Sequence, residues 1–167
     1  MIKKNNVTQI KPGMYLHDND GEWGGVILKY WDDSFSVGIK ALDNQHKILF
    51  DTVAPLLESR GGAEGMITVH KTFNSLLDYA AYHFKFEKEL MASHHYPDAE
   101  SHNREHGDLL EELDAYYAMV EFRGLPPAHN IAMHDIVIFL TEWQEAHILT
   151  ADKKLGDFLL QRGYSAA

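Results

Sequence analysis

The stretch from His83 to His106, HFKFEKELMASHHYPDAESHNREH, decides how the whole chain is read. It carries one imidazole–carboxylate pair, His83 with Glu87, and one imidazole pair, His102 with His106, on either side of Tyr96-Pro97. Four residues separate the members of each pair, and four residues return a helical side chain to nearly the same face. A proline disfavours helix in the residue before it, and Asp98 directly after Pro97 is a good N-cap for a new helix. The stretch therefore predicts two helices joined by a tight turn, each presenting its pair near the joint.

On both sides of this stretch the same rhythm of fours and threes continues. Val69, Phe73, Leu76, Ala80, His83, Glu87 and Leu90 form one seam, and His102, His106, Leu109, Leu113, Tyr116 and Val120 the next. Leu42, His46, Leu49, Val53 and Leu56 keep it upstream, and Met133, Ile136, Leu140, Trp143 and His147 downstream. Such seams are the core-facing stripes of bundle helices. Breakers at Gly61-Gly62, Tyr96-Pro97 and Gly124 with Pro126-Pro127 divide the chain into helices over residues 43–60, 64–95, 98–123 and 128–162. Asp43 is expected to cap the first. Short connections make neighbours antiparallel, so the expected fold is all-α, an up-down-up-down four-helix bundle. It should occupy residues 31–167. Residues 1–30, punctuated by Pro12-Gly13, Asn19-Asp20-Gly21 and Gly24-Gly25, read as an irregular or short β-type extension.

In that topology the starts of odd helices meet the ends of even ones. His46 lies early in the first helix, His83 and Glu87 late in the second. His102 and His106 open the third, and His147 and Asp152 lie late in the fourth. All seven converge at one depth. His147 and Asp152 are five apart, off-register by roughly 140° on a regular α-helix, which makes Asp152 the weakest member by spacing. A single histidine on an apolar face is ordinarily a hydrogen-bonded core residue. Five histidines and two carboxylates at one level are not, because unpaired buried carboxylates cost several kcal/mol each.

Composition narrows the chemistry. With no cysteine there is no thiolate zinc site, iron–sulfur cluster or cysteine nucleophile. Imidazole and carboxylate suit iron, zinc or copper better than magnesium or calcium, and seven ligands suit two ions rather than one. No Glu is followed three residues later by His, as ferritin-like di-iron sites require, and the zincin motif is missing too. A net charge of −10 repels phosphate backbones, so nucleic acid is not an expected partner. No apolar run approaches the roughly 20 residues of a membrane span. The start has no secretory pattern, and a cytoplasmic protein is expected.

The seven residues and their surroundings resemble the hemerythrin family, specifically its bacterial hemerythrin-like (bacteriohemerythrin) domains. The resemblance runs from Trp31 through Val37-Gly38-Ile39, Asp43-Asn44-Gln45-His46-Lys47, His83-Phe84-x-x-Glu87, Leu90-Met91, Tyr96-Pro97 and His102-x3-His106 to Trp143-x3-His147-Ile148-x3-Asp152. It implies two irons, cycling between Fe2+ and Fe3+. His102, His106 and His147 would fill one iron's coordination, and His46 and His83 would leave the other an open position. Glu87 and Asp152 would bridge them, together with a solvent-derived oxo or hydroxo group. Dioxygen would bind reversibly at the open iron, in an oxygen carrier, a store or a sensor working through a signalling or redox protein partner. A di-iron enzyme of oxidase, peroxidase or nitric-oxide reductase type, or an iron-handling protein, is the alternative.

Two features depart from the family pattern. Gln144 follows Trp143 where an apolar residue usually lines the oxygen pocket, so Trp143 and Gln144 are the expected pocket wall. The segment before Trp31 is longer than the family's short arm. The remaining histidines read as bystanders. His94 and His95 should serve the end of the second helix, and His17, His70, His129 and His134 should face solvent.

Overall fold

A computed structural model of the chain describes residues 7–11, 14–17, 31–58, 63–123 and 139–164. Asp32 opens the bundle-forming part, its carboxylate accepting from the Ser34 N–H to start a 3-10 turn, Asp33–Phe35. Helix α1 spans Lys40–Glu58, α2 Ala63–Ser93 and α3 Ala99–Arg123. The described part of the fourth helix comprises α4 at 139–147, a π-helical turn at Ile148–Asp152 and α5 at Lys153–Gln161. Helix α2 packs on both α1 and α3. These helices form the expected four-helix bundle.

Within the N-terminal extension, strands β1 (Val7–Lys11) and β2 (Met14–His17) pair antiparallel, with Val7 opposite His17 and a register shift between Gln9 and Lys11. The short β-type reading of that segment applies to these residues. Met133, Ile136, His129, His134 and the start of the expected fourth helix at 128 lie outside the described residues, as do the side chains of Leu56, Val120 and His17.

Helix ends reflect local chemistry. Asp98 is the N-cap of α3, its carbonyl accepting from the His102 N–H. Asp43 is not the cap of α1, which begins three residues earlier, at Lys40. Its carboxylate instead reaches back from the first turn, accepting from the Val37 N–H at 2.8 Å and the Ser36 hydroxyl at 2.7 Å. The strap 36–38 is thereby held across the end of the bundle. Lys153 reinforces it by donating to the Ser36 carbonyl at 2.7 Å. Gly156 lets this strap lie directly on α5, because a Cβ there would sit 2.3 Å from the Val37 carbonyl oxygen.

Helix α2 ends in a Schellman motif: Tyr96 N–H bonds Met91 C=O, and His95 N–H bonds Ala92 C=O. His95 takes the left-handed position with φ 54°. The His94 Nδ1 lies 3.0 Å from the Leu90 carbonyl. The helix-end role expected for His94 and His95 is therefore what they perform.

Buried apolar residues fall into two clusters. One holds Leu49, Val53, Val69, Phe73, Leu76, Ala80, Phe84, Leu109, Leu113 and Leu140. The other holds Phe35, Val37, Ile39, Leu42, Phe50, Leu90, Met91, Tyr96, Ile148, Leu155 and Leu159. Along each seam the seven polar residues come between or beside members of these clusters: His46 between Leu42 and Leu49, His83 and Glu87 between Ala80 and Leu90. The bundle thus carries a polar belt between two hydrophobic plugs, which keep water from either side.

Candidate metal centre

All seven sequence-predicted residues meet in this belt, and all are buried, His46, Glu87 and Asp152 most completely. Two groups form. In one, the Nε2 atoms of His102 and His106 lie 3.2 Å from Glu87 Oε2, and those of His102 and His147 lie 3.2 and 3.1 Å from Asp152 Oδ1. In the other, His46 Nε2 is 3.1 Å from Asp152 Oδ2 and His83 Nε2 is 3.6 Å from Glu87 Oε1. Each carboxylate gives one oxygen to each group. Ligand atoms of Glu87, His102, His106, His147 and Asp152 lie within 4.8 Å of one another, and so do those of His46, His83, Glu87 and Asp152.

Asp152 joins because of the π turn. Its i→i+5 bonding adds about one residue to the turn, so five residues do what four do in an α-helix. The Lys153 N–H bonds the Ile148 carbonyl in that manner. The spacing that looks off-register on a regular helix is in register on this one.

The polar atoms are not satisfied by one another as an ordinary hydrogen-bonded core would be. Among the described residues, both nitrogens of His46, Glu87 Oε1 and both Asp152 oxygens are buried without a hydrogen-bond partner. The His106 and His147 Nε2 atoms lie 2.9 Å apart, a separation that calls for a proton or a cation between two lone pairs. Converging lone pairs on a dry, anionic floor suit a pair of cations bound by nitrogen and oxygen.

Electrostatics point the same way. Burial pushes the Glu87 carboxyl up and Asp152 adds to this, yet His83 and bonds from His102 and His106 prevail and hold it at about 2. Burial likewise raises Asp152, but His147, His102 and His46 outweigh it and keep the acid well below its usual range. Burial pushes His102 down, and the Asp152 and Glu87 carboxylates beside its Nε2 overcome that, lifting it to about 9. His147 is raised through Asp152 against the same burial. Burial dominates for His83, pushed down to about 4, and also lowers His106. The two carboxylates thus favour their ionised forms and, in turn, the protonated forms of His102 and His147.

Two residues escape a sequence reading. Gln45 Oε1 lies 3.0 Å from His83 Nδ1, and Glu105 Oε2 lies 2.9 Å from His147 Nδ1. Each is adjacent in sequence to a histidine of the belt but bonds to a different one across a helix boundary. His70 departs from the solvent-facing expectation: it is half-buried, and its Nδ1 lies 3.2 Å from the Tyr117 hydroxyl.

Trp143 and Gln144 lie beside the belt. The Trp143 ring stacks on His147 at 4.5 Å, and Phe84 stacks on His106 at 3.7 Å. Phe84, Trp143 and Gln144 line a cavity of about 10 Å³ with Leu49, Leu76, Ala80, Leu109, Leu113 and Leu140. That is room for roughly one water-sized molecule. Gln144 is buried, and its amide donates to the Leu49 carbonyl at 3.4 Å. Among the described residues it brings the cavity's only side-chain amide.

Comparison with known proteins agrees with this geometry. The chain is 32% identical over 124 residues to a myohemerythrin of Theromyzon tessulatum, covering 74% of this chain and 88% of that one. It is 24% identical over 130 residues to a bacteriohemerythrin of Clostridium acetobutylicum, covering 76% and 98%. A crystal structure of a hemerythrin point mutant superposes with a TM-score of 0.68 at 27% identity, covering 79% of this chain and 97% of the other. Residues 37–159 match the hemerythrin HHE cation binding domain, a span that contains the whole polar belt. The chain belongs to the hemerythrin family.

Proposed function

We propose that the seven belt residues hold two iron ions and that the chain binds dioxygen reversibly, as a carrier, a store or the sensing part of a signalling or redox pair. The observation that supports this most is the division of each carboxylate between a three-imidazole and a two-imidazole group. Glu87 and Asp152 would then each give an oxygen to both ions, with His102, His106 and His147 holding one iron and His46 and His83 the other. The second group is one imidazole short, so an iron held there would have room for an exogenous ligand. When bound, the iron pair supplies two one-electron changes of oxidation state that can be reversed.

The chain's own residues favour reversal. Phe84, Trp143 and the leucines of the cavity keep bulk water and its protons from the belt. Five of the seven donors are imidazoles, which support both oxidation states. Among the described residues, Trp143 and Gln144 are the only N–H-bearing side chains lining the cavity, and both are poor acids.

Gln144 is also the observation behind a second reading. A polar group in an apolar pocket can hold a water and shorten the lifetime of any ligand-bound state, which would suit a di-iron redox enzyme or an iron-handling protein. One experiment separates the two. Iron-loaded, reduced protein is cycled between air and argon while dissolved oxygen and the visible spectrum are monitored. Uptake and return of equal amounts of dioxygen is the expected result. Consumption without return would reject reversible binding in favour of the enzyme reading.

A further inference from the structure

We infer that Glu105 and Gln45 are positioning residues for the two halves of the centre, and that their difference in charge makes those halves unequal. The inference rests on the two-iron reading. Glu105 on α3 meets the Nδ1 of His147 on α4 at 2.9 Å, and Gln45 on α1 meets the Nδ1 of His83 on α2 at 3.0 Å. Each group of imidazoles therefore has one ring aimed from a neighbouring helix.

The chemistry of the bond is the same in both places. An Nδ1–H given to an acceptor fixes the tautomer and leaves the Nε2 lone pair pointing into the belt. The acceptors differ. A carboxylate draws on the proton more strongly than an amide does, which makes the opposite nitrogen a better donor to a cation. His147 belongs to the group that already has three imidazoles, so Glu105 adds negative charge where donor strength is greatest. That group will prefer the more highly charged ion. Gln45 aims His83 without adding charge to the group with fewer donors.

Burial explains the choice of acceptor at each site. Gln45 is 8% exposed, and a carboxylate there would carry a heavy desolvation cost. The Glu105 side chain is 50% exposed, so it keeps its charge hydrated while one oxygen reaches inward. The polar edge of the belt thus comes to the surface at α3, on the three-imidazole side.

The test compares Glu105→Ala, which removes both bond and charge, with Glu105→Gln, which can keep the bond without the charge. Ferrous iron affinity is measured anaerobically against a competing chelator, and the midpoint potential by mediated titration with dithionite. Melting of the metal-free variants checks that the fold is intact. Glu105→Ala should bind one of the two irons at least about tenfold more weakly. Glu105→Gln should recover most of that affinity and show a midpoint potential above that of the unaltered protein. Either Glu105→Ala holding both irons as tightly as the unaltered chain, or Glu105→Gln with an unchanged potential, overturns the inference. Failure of the unaltered chain to take up two irons is a different result, and it would overturn the two-iron reading itself.

Discussion

Each buried carboxylate faces two groups at once, with Glu87 turning Oε2 to His102 and His106 and Oε1 to His83, and Asp152 dividing its oxygens in the same way. Losing one of them removes an oxygen from both metal positions, whereas losing His46 removes a donor from one. Glu87→Ala or Asp152→Ala should therefore strip the pair, leaving well under one iron per chain, while His46→Ala should keep an iron at the three-imidazole group. Iron per chain in each purified variant measures this, and equal losses in all three would contradict the bridging assignment. At Gln144, replacement by leucine should leave iron content unchanged and slow the conversion of reduced protein to the diferric state in air. The reason is that removing the amide makes a cavity with room for about one water fully apolar, and such cavities stay dry. A variant that oxidises as fast as the original would reject that account. His70 shows what single-residue patterns miss. It lies off the α2 seam, yet a partner on α3, Tyr117, half-buries it. Gln45 and Glu105 were unreadable for the same reason, since adjacency in sequence does not say which ring across the bundle a side chain will meet.

Among the elements, the His83–Glu87 and His102–His106 pairs were legible because regular α-helices keep spacing and face in step. Asp152 was the exception, and the π turn at Ile148–Asp152 is its explanation. A π turn is in effect one extra residue in an α-helix, accommodated without disturbing the helix beyond it. Deleting the exposed Thr150 should then give a continuous helix in which the aspartate, now four residues from His147, still faces the belt. Inserting one alanine after Thr150 should rotate the aspartate by roughly 100°. The deletion should retain two irons and the insertion should lose them, with helical content by circular dichroism similar in both. Equal loss of iron from both would show that the turn does more than restore register. The start of α1 departs from the sequence expectation for a related reason. Asp43 has the chemistry of a cap, but tertiary contact with the strap 36–38 uses it differently, and the helix runs back to Lys40.

For the molecule entire, the order of seams and breakers was enough to bring the seven residues to one depth, whereas the apolar plugs on both sides of the belt emerge only from the packed structure. Strands β1 and β2 carry no part of the belt. The belt has a cost for the metal-free protein, because its carboxylates then depend on protons held by imidazoles. His102 is raised from 6.5 to about 9, so its contribution to stability is complete below pH 6.5 and is lost as pH rises through about 9. His83 is lowered from 6.5 to about 4, so folding is penalised as pH falls across that window. On these two groups the metal-free chain should be most stable near pH 6.5 and weaken on both sides. Bound metal stabilises by mass action and competes with those protons. The gap in melting temperature between loaded and metal-free protein should therefore widen from pH 6.5 to about 9. Melting curves at a series of pH values check this, and a gap that narrows over the window would contradict it.

Everything proposed for this chain depends on a paired metal site, and metal analysis of protein loaded anaerobically with ferrous iron, then desalted, puts that pairing to the test. About two irons per chain are expected, bound together and lost together when Glu87 or Asp152 is removed. A single iron per chain, or one zinc that iron does not displace, would be incompatible with the pair.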